Sequence, residues 1–149
     1  MFGRLTVRKF QSADLDAILD IEHASFGADA YDRNLFAEFA RTCGDLFLVV
    51  ERRSKVCGYV VTCIRGERAE LVSIAVVPAG RRRGAASALL TATLRRLRRR
   101  PVDRCGLMVR VSNAAARGFY EKFGFRKVRT VRGYYEDGED GLLMTKSLS

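Results

Sequence analysis

Positive charge and small residues meet in "RRRGAASALL", at residues 81–90, directly after the apolar run "LVSIAVVPAG". The apolar run is typical of a buried strand, and the small residues from Gly84 onward let a helix begin with its backbone N–H groups open to a ligand. Such N–H groups attract anions, and the arginines at residues 81–83 would add fixed charge. The segment therefore predicts either a site for a phosphate-bearing ligand or a basic helix end that only packs on a sheet.

The elements that must position this segment alternate between strand and helix patterns. "LTVRKF" alternates as a strand does, and "SADLDAILDIEHASF" predicts an amphipathic helix with Ser12 as its N-cap. A short helix over "RNLFAEFAR" precedes three antiparallel strands over "LFLVVERRSKVCGYVVTCIRGERAELVSIAVV". The longest helix spans "RRGAASALLTATLRRLRRR"; the strand "CGLMVRV", the helix "NAAARGFYEKFGF" and closing strands over "RKVRTVRGYY" and "GLLMTKSLS" follow. The order β-α-α-β-β-β-α-β-α-β-β predicts one α/β (α+β) domain over residues 1–149 around a mixed sheet.

The charge balance favours an anionic partner. The chain of 149 residues carries 27 Lys and Arg against 17 Asp and Glu, a formal net charge of +10. A phosphorylated cofactor, nucleic acid or a ribosome surface would each be attracted by this charge. No stretch approaches the ~20 apolar residues that span a bilayer, and "MFGRLTVRKF" lacks the apolar core of an export signal. We expect a cytoplasmic protein that does not bind membranes.

The cysteines do not show a metal-binding pattern. The chain has four, Cys43, Cys57, Cys63 and Cys105, without a Cys-x-x-Cys pair, and its single histidine, His23, cannot complete a typical zinc set. We therefore expect no metal site. Buried, reduced thiols and a surface histidine are the predictions.

Three segments, in order, resemble the GNAT superfamily of N-acetyltransferases. "VVPAGRRRGAASALL" resembles its loop for the pyrophosphate of acetyl-CoA, "NAAARGFYEKFGF" its later helix followed by "GF", and "RGYYEDGEDGLLM" the closing segment of RimI-type and eukaryotic N-terminal acetyltransferases. The motif residues are Arg81, Gly84 and Ala86 in the first segment and Asn113, Tyr120, Gly124 and Phe125 in the second. The resemblance implies the GNAT fold, a mixed central sheet of about seven strands with about four helices.

The resemblance also implies acetyl-CoA as co-substrate, held between two central strands. Its pantetheine arm would bond to the strand backbone and its pyrophosphate to the N–H groups after residue 81. The cofactor-binding residues that follow are Ile74, Ala75, Val76, Arg81, Arg82, Arg83, Gly84, Ala85, Ala86, Ser87, Asn113 and Lys122. Without the resemblance, the first three would be core residues and Asn113 a helix N-cap.

Two side chains are implied in catalysis. Tyr120 matches the family's general acid, which gives a proton to the departing thiolate; alternatively, it is an aromatic packed at a helix end. RimI-type enzymes place a glutamate where this chain has Met108, so the expected base is missing. Glu70, at the start of "ELVSIAV", is the replacement that we favour, and an exposed strand-end acid is the alternative. An α-amine, with a pKa of ~7.7–8.0, needs little help from a base, whereas a lysine at ~10.4 needs much more.

Aromatic residues flank the implied site. Phe26 and Tyr31 would wall one side of a slot for a polypeptide N-terminus, and Tyr134 and Tyr135 the other, although such residues also occur as core or rim. The arginine run at residues 95–100 lies at a helix C-terminus, where solvated cations meet the helix dipole favourably; docking to nucleic acid or a ribosome is the alternative.

Three functions follow. The first is acetyl-CoA-dependent acetylation of a protein's N-terminal α-amine, with a ribosomal protein as one candidate acceptor. The second is acetylation of a small-molecule amine or a lysine side chain, which Met108 favours. The third is a non-catalytic RNA- or ribosome-binding module, which only the charge supports, so that nucleic acid is not the expected partner. Monomer and homodimer both remain open.

Overall fold

A computed structural model describes residues 4–78 and 84–148. Within these residues the chain forms seven strands and four α-helices, in the predicted order. The strands are β1 (Leu5–Lys9), β2 (Phe47–Arg52), β3 (Lys55–Arg65), β4 (Arg68–Val76), β5 (Arg104–Arg110), β6 (Arg126–Val131) and β7 (Gly141–Ser147). The helices are α1 (Leu15–Phe26), α2 (Arg33–Thr42), α3 (Ala85–Leu97) and α4 (Ala114–Lys122). The predicted mixed α/β fold is confirmed.

The strands form one sheet in the order β1-β2-β3-β4-β5-β7-β6. Neighbours are antiparallel except β4 and β5, which run parallel and pair through Arg68–Arg104, Ala69–Cys105 and Glu70–Gly106. Beyond Glu70 the two strands line opposite sides of a cleft. A bulge in β4, opposite Val61 and Thr62 of β3, adds a residue beside this cleft.

Helices cover both faces of the sheet. α1 and α2 pack Ile18 and Phe36 against one face, where Tyr59 is also fully buried. α3 packs Leu89 and Leu90 on the other face, with α4 beside it. Because each helix presents an apolar stripe and each central strand is buried on both faces, two cores hold the sheet between them. No helix in the described part of the chain is long and apolar enough to cross a bilayer.

Local boundaries differ from the prediction at three places. Ser12 does not cap α1: a short 3-10 turn precedes the helix, and Asp14 accepts a hydrogen bond from the Gln11 amide at 2.7 Å. The N-cap position of α1 is therefore Asp14, two residues after the predicted Ser12. The predicted closing strand over residues 126–135 ends at Val131, and the tyrosines beyond it lie in the loop before β7. α3 ends at Leu97, before most of the arginine run.

The prediction of four reduced thiols is wrong for one pair. Cys43, at the end of α2, forms a disulfide with Cys63 of β3, with their Cα atoms 5.1 Å apart. They are 20 residues apart in sequence, so only the packing of α2 on the sheet brings them together. Cys57 and Cys105 are buried free thiols, as predicted, and burial raises the pKa of Cys105 to about 12. His23 is exposed, as predicted.

Candidate active site

The cleft between β4 and β5 has a volume of about 430 Å³ and is lined by all the predicted catalytic and substrate-binding residues and by two of the predicted cofactor-binding ones. β4 and β5 supply its walls, α4 its inner end, and the loops after α1 and before β7 its mouth. Of the predicted residues, the lining includes Phe26, Tyr31, Glu70, Ile74, Asn113, Tyr120, Tyr134 and Tyr135. Residues that are distant in sequence therefore meet because the parallel strands separate.

The free edge of β4 is the natural place for an extended ligand. Ile74, Ala75 and Val76 pair with β3 through their other edge, opposite Val60, Tyr59 and Gly58. Their side chains are largely core, and Ile74 alone of the three lines the cleft. Since the pairing with β5 ends at Glu70, backbone groups of β4 beyond it face the cleft, where an added strand-like chain can bond to them.

The start of α3 has the geometry that an anion site requires. Gly84 is its N-cap and has a left-handed φ of +84°, which favours glycine. Ala85 is buried against the core, whereas Ser87 is exposed. The first-turn N–H groups have no preceding helical carbonyls to bond. Arg81, Arg82 and Arg83 lie outside the described residues.

α4 carries the predicted acid. Tyr120 is 7% exposed and lines the cleft, and desolvation raises the pKa of its phenol well above the usual value, so the hydroxyl keeps its proton. Asn113 caps the helix, because its Oδ1 accepts a hydrogen bond from the Ala116 amide at 3.1 Å, and it also lines the cleft. Lys122 is exposed in the last turn and is outside the cleft lining.

The predicted base has a different setting. The Glu70 side chain is 48% exposed at the cleft, and its Oε1 accepts a hydrogen bond from Arg65 Nε at 2.8 Å. Met108, which stands where RimI-type enzymes have their glutamate, lines the cleft from β5. Glu70 is therefore at the site but is already paired with a cation.

The aromatic walls lie on two loops that one arginine connects. Tyr134 and Tyr135 contact edge to face, and the Arg110 guanidinium lies 4.1 Å from the centre of the Tyr135 ring. Arg110 also bonds to Asp29 in the loop after α1 and to Asp137 and Glu139 before β7. Hydrogen bonds from Ser112 and Arg110 lower the pKa of Glu139 to about 2, so the ion pair between Arg110 and Glu139 stays charged near neutral pH.

Sequence reasoning missed Arg110 and also Glu22, a buried carboxylate in the lining. Glu22 lies four residues after Ile18 in α1, on the face that packs against the sheet, and that spacing was the available signal. The hydroxyl of Ser25, one turn later, is buried in the same lining without a hydrogen-bond partner among the described residues. The cleft thus contains polar groups that are placed for a polar ligand. In the described part of the chain, no three His, Cys, Asp or Glu side chains are arranged to hold a metal ion.

Comparison with known proteins identifies the class. The model of the acetyltransferase (GNAT) family matches residues 15–125. An N-alpha-acetyltransferase of Saccharolobus solfataricus is 33% identical, over 96% of this chain and 93% of its own length. The [ribosomal protein bS18]-alanine N-acetyltransferase of Escherichia coli is 32% identical, over 97% and 98%. The crystal structure of Ard1 from Thermoplasma volcanium is similar with a TM-score of 0.92, at 28% identity, over 96% of this chain and 97% of that one.

A mixed sheet that opens between two parallel strands, with a helix N-terminus beside it, agrees with the GNAT fold that the family model and the Ard1 structure indicate. The chain belongs to the acetyltransferase (GNAT) family. It is an N-acetyltransferase that uses acetyl-CoA.

The Gly84→Val variant tests the anion site. At φ +84° a branched side chain costs roughly 1–2 kcal/mol, and it would also stand where the pyrophosphate is predicted to approach the backbone. We expect the rise in Tm on adding acetyl-CoA to disappear, because that rise measures binding to the folded state.

Gly66→Val is the matched control. Gly66 has a similar φ of +67° in the turn between β3 and β4, where nothing lies within 4 Å of an added Cβ. This variant should lose Tm without losing the acetyl-CoA response. An unchanged response in Gly84→Val would remove the start of α3 from the cofactor site.

Proposed function

We propose that the chain transfers the acetyl group of acetyl-CoA to the N-terminal α-amine of a protein. The observation that carries the proposal is the mouth of the cleft, where tyrosines on two loops enclose an approach to Tyr120. Arg110 connects the two loops, because it bonds to Asp29 in one and to Glu139 in the other. An approach of this kind suits a single extended chain end, since rings with polar tips contact a peptide backbone well. Relatives that are named for N-terminal and alanine N-acetylation support it.

The reaction assigns roles to the predicted residues. Acetyl-CoA would lie along the free edge at Ile74, Ala75 and Val76, with its pyrophosphate on the N–H groups from residue 82 to Ser87 and with Asn113 and Lys122 as further contacts. The thioester is the acyl donor. The amine attacks its carbonyl carbon directly, without an acyl-enzyme, and Tyr120 gives a proton to the leaving thiolate. The sequence predicts Glu70 as the base, but its carboxylate is already paired with Arg65.

The acceptor is proposed more finely by analogy with one relative. The E. coli relative is named for alanine acetylation of ribosomal protein bS18. A ribosomal protein is accordingly a candidate acceptor here, and the excess of positive charge would favour the ribosome's vicinity, in the cytoplasm. α3 and the turn after it present exposed arginines, of which Arg100 pairs with Asp45 at 3.0 Å.

A second function is favoured by one observation. Met108 replaces the carboxylate that the RimI resemblance implies, and a site without that base could belong to an enzyme for a small amine or a lysine side chain. The two functions differ in the acceptor that the mouth of the cleft admits.

The test is release of coenzyme A from acetyl-CoA with different acceptors. Peptides with free N-termini and varied first residues are compared with polyamines and with free lysine. We expect peptides to be preferred and the first residue to change kcat/KM. A preference for polyamines would assign the second function, and an absence of turnover with every acceptor would contradict both.

A further inference from the structure

Glu22 is a buried carboxylate at the floor of the cleft. Its side chain is 1% exposed, and it accepts hydrogen bonds from the Tyr31 amide at 3.0 Å and from the Tyr59 hydroxyl. Both of these donors are neutral, and Glu22 forms no salt bridge within the residues that the structure describes. A buried carboxylate without a cation is costly and is a common feature of functional sites.

A hydroxyl pair connects this carboxylate to the cleft. Ser73, beside the bulge of β4, is 7% exposed and lines the cleft, and its Oγ lies 2.9 Å from the Tyr59 hydroxyl oxygen. The Tyr59 hydroxyl donates a hydrogen bond to Glu22, so Ser73 must be the donor in its own hydrogen bond with Tyr59. The Ser73 oxygen can therefore accept a hydrogen bond from a group in the cleft. The hydroxyls of Ser73 and Tyr59 both donate in the direction of Glu22.

We propose that Glu22 accepts the proton that the substrate's ammonium group loses, with Ser73 and Tyr59 as the relay. The inference rests on the proposed function, since it concerns the same cleft and an amine acceptor. It assigns the task of the carboxylate missing at Met108 to a different element, helix α1.

The proton balance closes. The ammonium group gives one proton to the Ser73 oxygen. Ser73 then gives its own proton to Tyr59, and Tyr59 gives its own proton to Glu22. The amine becomes neutral, and the carboxylate becomes a carboxylic acid. The amine then forms the N–C bond and the C–S bond breaks. Tyr120 gives its proton to the thiolate, and the second proton that leaves nitrogen restores the Tyr120 hydroxyl. Glu22 finally returns its proton to solvent, and the net reaction releases one proton.

The surroundings suit Glu22 to this task near neutral pH. Burial raises its pKa to about 7, although the hydrogen bond from the Tyr31 amide favours the charged form. A base whose pKa lies near the working pH is the most effective.

The groups that face Glu22 come from each element packed against α1. Tyr59 of β3 and the Tyr31 amide of the loop after α1 bond to Glu22 directly. Ser73 of β4 contacts Tyr59, and Glu70 of β4 lines the same cleft. α2 presents Phe36, whose ring contacts Tyr59.

The experiment compares the pH dependence of kcat/KM in the wild-type protein and in Glu22→Gln, with a peptide that has a free N-terminus. The amide keeps the size and an acceptor oxygen but cannot take the proton. At pH 6 an α-amine with a pKa of ~7.7–8.0 is almost fully protonated, so we expect a loss of about tenfold or more. At pH 9 the amine is neutral without help, and the loss should shrink to about twofold.

Controls separate this role from a structural one. Glu67→Gln, in the exposed turn before β4, should change neither rate nor profile, and Glu70→Gln should cost less than Glu22→Gln. Tyr59→Phe removes the relay but keeps the carboxylate, so its loss should depend on pH in the same way. It also gives a decision if Glu22→Gln does not fold.

The outcomes are distinct. A loss that is equal at pH 6 and pH 9, or a larger loss in Glu70→Gln, would overturn the role of Glu22 while leaving N-terminal acetylation intact. No turnover of any peptide by the wild-type protein would instead contradict the proposed function.

Discussion

Replacing Tyr120 by phenylalanine should lower kcat by about 10²–10⁴, the usual contribution of general acid–base catalysis. The phenol is buried and keeps its proton, because desolvation raises its pKa. The variant loses only the hydroxyl, since the ring keeps its contacts with Phe119 and Phe125, whose centres lie 5.4 and 5.8 Å away. The rise in Tm with acetyl-CoA should therefore be retained, and single-turnover acetylation measures the loss.

Tyr134→Phe is the matched comparison for this experiment. It removes the same atom from a ring that is half exposed at the mouth of the cleft, away from the inner end where Tyr120 lies. Its effect should appear mainly in KM for the peptide and be far smaller in kcat. If Tyr120→Phe turned over like the wild-type protein, the tyrosine would be a packing residue at the end of α4.

Local patterns predicted most of the fold. The apolar periodicity of α1 and the short polar turns between β2, β3 and β4 depend on neighbours in sequence, so these elements could be read directly. The N-cap of α1 was wrong, because Ser12 and Asp14 both suit a cap and tertiary contacts decide between them. Asp14 also pairs with Arg8 of β1, at 2.8 Å, which the local pattern does not contain.

The site was predicted in part. Motif residues such as Tyr120 lie in the cleft, as the resemblance implied, but the buried carboxylate did not carry a motif. Glu22 becomes distinctive only when α1 packs on the sheet and removes it from water. Likewise Arg110 looks like an ordinary strand residue until β5 ends between two acidic loops. The Cys43–Cys63 bond follows the same rule, because it needs the contact between α2 and β3.

The acceptor amine determines how much work the protein must do. An α-amine with a pKa of ~7.7–8.0 is roughly a quarter neutral near pH 7.4. For a lysine side chain with a pKa of ~10.4, the protonated form exceeds the neutral form about a thousandfold at this pH. The neutral fractions of the two amines therefore differ by roughly 250-fold, which is worth ~3 kcal/mol. For an α-amine, we therefore expect kcat/KM to rise with pH and to level off near pH 8, and for a lysine the rise would continue towards ~10.4.

Acetylation of paired peptides tests the central claim most directly. Each pair shares one sequence containing an internal lysine, and one member has a free N-terminus while the other is blocked by a formyl group. Mass spectrometry of the products gives both the rate and the modified nitrogen. We predict that the free peptide is acetylated at its α-amine and that the blocked peptide reacts at least about a hundredfold more slowly, given the ~3 kcal/mol that its lysine would demand. Equal rates for the two members, with the acetyl group on lysine, would contradict N-terminal acetylation and assign the lysine function instead.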